Sequence, residues 1–235
     1  MAKLAKQSAK APPGQIRHDD HSIGTLDASS YQGAGDPNPG EMWFNFPGSG
    51  NLPTNYNTSV DAKTDIELGL KIHYRQGDDI LPTSVDADGT AHYVVPDGTQ
   101  VIDPAHGVTS AAPNRAAWNF DFSVNTGLDG STKTLDAFDF RIIIKSGDGE
   151  TGTFDLQHLG PGNTPWVNSP ATGGFTDDDG PNPQLSQNSV NLGFAFMTAI
   201  FGGDALNAGE TYDITLQAFD HGKIVAQVHD ALILA

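Results

Sequence analysis

Apolar residues recur at every second position in one stretch of this chain after another. "DIELGLKIHY" puts Ile66, Leu68, Leu70, Ile72 and Tyr74 on one side of an extended backbone, and "AWNFDFSVN" does the same with Trp118, Phe120, Phe122 and Val124. "AFDFRIII" supplies Phe138, Phe140, Ile142 and Ile144, and "SVNLGFAF" supplies Val190, Leu192, Phe194 and Phe196. Successive side chains of a strand point to opposite faces, so a period of two predicts strands with one apolar face. Near the carboxy terminus, "TYDITLQAF" (Tyr212, Ile214, Leu216, Ala218) and "KIVAQVHDALIL" flank "DHG" at 220–222, which predicts a β-hairpin. Shorter strands are predicted at "HYVVP" and "GTFDLQHL". No helical stripe of useful length stands out, although 197–206 has room for a turn or two.

Strands with one apolar face need a second layer to cover it. The predicted class is therefore all-β: an antiparallel β-sandwich, jelly-roll or immunoglobulin-like, occupying residues 41–235 as a single domain. Residues 1–40 show little periodicity, and "GAGDPNPG" has pure turn composition, so they read as a long irregular N-terminal arm, flexible or extended. The polar loops at 75–115 and 158–188 are long, and long loops on a sandwich are where binding usually resides.

Composition sharpens this picture. The 235 residues carry a formal net charge of −17, with 25 Asp but only 4 Glu, and with 27 Gly and 15 Pro. Asp competes with the helical backbone and favours turns, so the skew agrees with strands joined by many turns. A surface this acidic repels phosphates and excludes nucleic acid as a partner. The arm is the exception, because it holds Lys3, Lys6 and Lys10 and could lie on its own body or on a neighbouring copy. Absence of Cys excludes thiol catalysis, thiolate metal sites and disulfides. No apolar run approaches the roughly 20 residues of a transmembrane segment; "LGFAFMTAIFGG" is too short. The first residues lack the apolar core of a secretory signal. "VHDALILA" at the other end reads either as the last strand of the sheet or as an acidic-then-apolar type I secretion tail.

Three stretches, "RAAWNFDFSVNTG", "QNSVNLGF" and "GETYDITLQAFDHGKIVAQV", resemble a group of uncharacterised secreted proteobacterial β-sandwich proteins that often carry a PEP-CTERM-type sorting tag. The resemblance spans about residues 60–230. It implies an extracellular or cell-surface location and brings no catalytic residues with it. The tag is absent from this chain.

The densest candidate for chemistry is "TDDDGPNP". Asp177, Asp178, Asp179 and Asn182 offer oxygen ligands around Gly180, as calcium prefers, and "SVDADGT" adds Asp86 and Asp88 before Gly89. The downstream Glu of an EF-hand is missing. "HDDH" at 18–21 has ligand types that suit zinc or copper, but it lies in the arm without a scaffold. His73 and His229 fall within strands and read as structural. Trp166, Trp43 and Tyr56, if they lie in loops, are candidates to stack on sugar rings. Asp121 and Asp139 alternate with aromatics, which places them on the outer face of the strands. A carboxylate pair there would suit a glycosidase, yet no nucleophile, metalloprotease or phosphate-loop motif accompanies it.

The expected function is that of a non-catalytic extracellular structural or adhesive protein, a homo-oligomer or filament assembled through the arm and stabilised by calcium. A carbohydrate-binding module with a polysaccharide partner is the alternative, and a hydrolase of an extracellular glycan the second alternative.

Overall fold

The computed structural model describes residues 21–27, 53–155, 184–202 and 206–235. Fourteen strands account for most of them. They are β1 (Ser22–Gly24), β2 (Tyr56–Asp61), β3 (Ile66–Tyr74), β4 (Asp79–Ile80), β5 (Ser84–Val85), β6 (Ala91–Val95) and β7 (Thr99–Gln100). The second half contributes β8 (Ala112–Ala116), β9 (Trp118–Asn125), β10 (Asp139–Ser146), β11 (Thr151–Asp155), β12 (Leu185–Val190), β13 (Thr211–Asp220) and β14 (Lys223–Leu234). Sheet I has the order β1-β2-β3-β9-β12, with β4 beside one end of β3, and sheet II has the order β11-β10-β13-β14-β6-β5. β7 and β8 form a small separate ribbon.

The two sheets face each other across one core. Ile66, Leu68, Leu70 and Ile72 of β3 and Phe120, Phe122 and Val124 of β9 meet Phe140, Ile142 and Ile144 of β10 and Ile214, Leu216 and Val228 of β13 and β14, all essentially inaccessible to water. The inward sets expected from period-two spacing on β3, β9, β10 and β13 fill this core, except Tyr74, which is half-buried at the end of β3 and stacks on the His106 ring. Neighbouring strands run antiparallel, as expected of the sandwich, except β14 and β6, which are parallel over Asp230–Leu234 and Ala91–Val95. β13 and β14 form the expected hairpin, and its two turn residues, His221 (φ 50°) and Gly222 (φ 73°), both adopt the left-handed conformation that matches strand twist. "VHDALILA" lies in β14, in register with β13 and β6.

One strand ends earlier than its pattern suggests. β12 stops at Val190, and Ala195–Phe201 form α1, a short helix, so Phe194 does not continue an inward strand face. The cause is Asn191, whose buried side chain replaces the sheet ladder. Its Nδ2 donates to the carbonyls of Ala116 and Trp118 and to Asn119 Oδ1, and its Oδ1 accepts from the amides of Ala116 and Gly193. Those bonds hold the chain in a turn. Gly193 then passes so close to Arg115 that a Cβ would lie 2.7 Å from the Arg115 Cα. Among the described residues no helix is long and apolar enough to cross a membrane.

Candidate functional site

The far side of sheet I, turned away from the core, is the unusual surface of this molecule. Strand alternation gives it Tyr56 and Thr58 from β2, Glu67, Gly69, Lys71 and His73 from β3, Asn119, Asp121, Ser123 and Asn125 from β9, and Gln187 and Ser189 from β12. Such a sequence of polar side chains ordinarily faces water. Here Lys71, Asp121 and Ser123 are fully buried, and Glu67, His73, Asn125 and Gln187 nearly so. A buried charge is tolerated only when it is paired and hydrogen-bonded, and the cross-strand register supplies the pairs.

Tyr56, Lys71, Asp121 and Ser189 lie side by side in one row across β2, β3, β9 and β12. The Lys71 ammonium sits 5.1 Å from the centre of the Tyr56 ring and 3.0 Å from Asp79 Oδ1. Asp79 reaches this face because β4 pairs it with His73, and its other oxygen accepts from Asn55 Nδ2 at 2.8 Å. Two residues along β3, His73 Nε2 lies 2.9 Å from Asp121 Oδ1 and 3.3 Å from Ser189 Oγ. Two cations and two anions thus alternate within one network.

The protonation states follow from this geometry. Burial alone would lower the His73 pKa, but the charge of Asp121 and its hydrogen bond outweigh burial and raise it. Burial opposes ionisation of Asp121 too, yet His73 and the nearby Lys71 hold its pKa below the ordinary value. His73 Nδ1 meets the Tyr74 carbonyl at 2.7 Å, so as an imidazolium it donates from both nitrogens, one to a carboxylate and one to a carbonyl.

The trio His73, Asp121 and Ser189 is not a nucleophile relay. In a serine triad the carboxylate and the hydroxyl bind opposite ring nitrogens, which leaves one nitrogen to take the serine proton. Here Asp121 and Ser189 share Nε2, and Nδ1 is held by the backbone. The arrangement orders side chains. Amides and hydroxyls complete it, with Asn119 Nδ2 donating to Ser189 Oγ at 2.7 Å and Gln187 Nε2 to Ser123 Oγ at 2.7 Å.

Residues 21–27 close one corner of this face. β1 pairs with the edge of β2, the Leu26 amide donates to the Pro53 carbonyl, and the Asp27 amide donates to the Glu67 carboxylate, 2.9 and 3.2 Å from its two oxygens. Leu26, only 2% exposed, lies over Gly69 beside Tyr56.

The sequence candidates distribute unevenly. Tyr56 is not a loop aromatic. It opens β2, is fully buried, and has its ring under the Lys71 ammonium, so it is inaccessible to a sugar. Burial, then the charges of Asp121 and Asp79, push its hydroxyl well above the usual phenol range. Asp121 does not lie on a solvated face, and Asp139 belongs to the other sheet, so the two form no carboxylate pair. Asp86 and Asp88 build the β5–β6 hairpin: Asp86 Oδ2 pairs with His92 Nε2 at 2.9 Å, and Asp88 Oδ1 accepts from the Thr90 amide at 3.1 Å. Among the described residues no group of three or more His, Asp or Glu side chains is placed to hold a metal ion. Asp177, Asp178, Asp179, Asn182, Trp43, Trp166 and His18 lie outside the described residues. His21 packs its ring on Gly89.

His73 is buried and structural, as its place within a strand suggests, whereas nothing local announces the burial of Lys71 and Asp121, because a polar alternate face is the normal signature of solvent. One signal was available. Apart from its charged network, that face is built of Asn, Ser, Gln and Thr, which can satisfy one another when buried, rather than of Lys and Glu.

Compared with known proteins, the chain matches no protein-family model, no curated protein and no solved structure. The likeness to secreted proteobacterial proteins therefore rests on the strand motifs alone.

Proposed function

We propose that the protein is a non-catalytic structural or adhesive protein of the cell exterior that assembles with copies of itself through its N-terminal arm. The observation that carries this reading is β1, a strand from within the arm that pairs with the edge of β2 which the rest of sheet I leaves open. Strand addition at an open edge is a general way in which β proteins join chains, because the backbone supplies most of the affinity. The polar face supports the non-catalytic half of the proposal: His73 has both ring nitrogens occupied, and Lys71, Asp79 and Asp121 each have an opposite charge at contact distance. Lys3, Lys6 and Lys10 give the arm attraction toward an otherwise acidic neighbour. Calcium at Asp177, Asp178, Asp179 and Asn182 would offset repulsion between copies, and the motif resemblance supports export.

Size-exclusion chromatography with light scattering on the full chain, over a range of concentrations with calcium and with chelator, tests the proposal. The expected result is a mass that rises with concentration, and a lower melting temperature on chelation. A chain that stays monomeric under every condition ends the self-assembly reading.

A further inference from the structure

Lys71 and Asp79 meet as an ion pair whose surroundings suit a covalent bond. The Lys71 side chain is fully buried and that of Asp79 mostly so, and Nζ lies 3.0 Å from Asp79 Oδ1. Asp79 is brought there by β4, a strand of two residues that pairs Asp79 with His73 and Ile80 with Ile72 of β3. Its other oxygen is held as well. Asn55, in a left-handed turn (φ 63°) just before β2, donates from Nδ2 to Asp79 Oδ2 at 2.8 Å.

A third group stands on the opposite side of Lys71. Asp121 of β9 is its direct cross-strand partner, a pairing that puts the two Cβ atoms about 5 Å apart. Asp121 is fully buried, its Oδ1 meets His73, and among the described residues its Oδ2 has no hydrogen-bond partner. An amine, a carboxyl and a second carboxylate that can carry a proton between them are what an amide condensation needs. In bulk water solvation keeps such a pair charged and apart. Burial penalises the separate charges and holds amine and carboxyl at an effective concentration no solution reaches.

We propose that Lys71 and Asp79 condense to an isopeptide bond, Nζ to Cγ, which fastens the short strand β4 to β3 at the centre of sheet I. The chain has no Cys, so an amide of this kind takes the place of a disulfide as its internal cross-link. Nζ first passes a proton across the 3.0 Å contact to Oδ1, leaving an amine against a carboxylic acid. The nitrogen lone pair attacks Cγ, Asn55 Nδ2 stabilises the charge that develops on Oδ2, and Asp121 Oδ2 takes a second proton from the nitrogen. As the carbonyl re-forms on Oδ2, the Cγ–Oδ1 bond breaks and Asp121 returns its proton to Oδ1. Of the three ammonium protons, one stays on the amide nitrogen and two leave with Oδ1 as water. The step needs no other reactant. It removes one buried charge of each sign and leaves Asp121 paired with His73.

The test is the mass of the full-length wild-type chain, folded first and denatured for electrospray measurement. The expected mass is one water below that of the sequence, and Lys71→Arg and Asp79→Ala chains should each keep the full mass of their own sequences. Dehydration of an Asp-Gly pair would also remove one water, so a tryptic digest locates the loss. The bond blocks cleavage after Lys71 and should yield a branched peptide in which residues 64–75 are joined to residues 76–115. The folded fraction of Asp121→Asn should retain uncondensed chain, and complete condensation there would overturn the role given to Asp121. A folded wild-type chain at full mass, or a lost water with Lys71 still cleaved by trypsin, overturns the bond. The bond forms within one chain, and light scattering on the same sample reads self-assembly separately, so either conclusion can fall alone.

Discussion

Asn57 and Asp230 join the two sheets through the middle of the core: the Asn57 amide nitrogen on β2 donates to Asp230 Oδ1 on β14 at 2.8 Å. The same nitrogen lies 3.0 and 3.1 Å from the carbonyls of His229 and Gly89. Asp230 is fully buried, and among the described residues neither its second oxygen nor the buried hydroxyl of Tyr93 on β6 has a hydrogen-bond partner. Burial, offset only in part by the Asn57 hydrogen bond, raises the Asp230 pKa from 3.8 to about 7.

A carboxyl whose folded pKa lies above its unfolded value favours folding most when protonated. Its effect is neutral below pH 3.8, becomes increasingly unfavourable between 3.8 and 7, and levels off above 7 at a cost of about 4 kcal/mol. Asp230→Asn keeps the shape and cannot ionise. Urea unfolding at pH 5 and pH 8 should show the variant gaining about 2–3 kcal/mol on the wild type across that interval. A stability gap that does not change with pH would refute this account of Asp230.

The His73–Asp121 pair has the opposite dependence. His73, with a raised pKa, contributes stability that is complete below 6.5 and is lost as pH rises through its higher folded value. Asp121, with a lowered pKa, contributes stability that is present above 3.8 and is lost as pH falls through its folded value. The His73 imidazole, followed by nitrogen NMR, should titrate above 6.5 in the wild type. In Asp121→Asn its midpoint should fall below 6.5, with a loss of about 3–5 kcal/mol in stability because a buried cation loses its partner. An unchanged midpoint would show that the carboxylate does not set it.

Lys71 tests whether the buried charges act as one network. Lys71→Met keeps most of the volume over Tyr56 but leaves Asp79 and Asp121 without their shared cation, at an expected cost of about 2–4 kcal/mol. Adding Asp79→Asn should recover part of that loss. A double-mutant cycle should give a coupling of at least about 1 kcal/mol, and a coupling near zero would mean that the contact at 3.0 Å adds nothing.

Asn191 holds its turn with five side-chain hydrogen bonds. Asn191→Asp removes the donating nitrogen and points a carboxylate at the oxygens of Ala116, Trp118 and Asn119. It should destabilise more than Asn191→Ala, which loses about 2–3 kcal/mol but introduces no charge. Thermal melts of the two variants decide the order, and equal losses would mean that the amide donors are dispensable.

The amino-acid sequence by itself determined the layers. Alternating Ile66, Leu68, Leu70 and Ile72, with their counterparts on β9, β10, β13 and β14, can bury their apolar sides only against a second sheet, so the sandwich and the β13–β14 hairpin were legible from spacing and turn chemistry. The tertiary structure decided everything that depends on what lies above a face. His73, Lys71 and Asp121 carry the same alternating pattern whether they meet water or protein, and only the register of β2, β3, β9 and β12 brings opposite charges into contact. Asp230 and Asn57 are 173 positions apart, and no local pattern announces that a carboxyl from one sheet will share the core with an amide from the other. Periodicity reports which residues share a side, whereas burial of that side is a long-range fact that only packing creates.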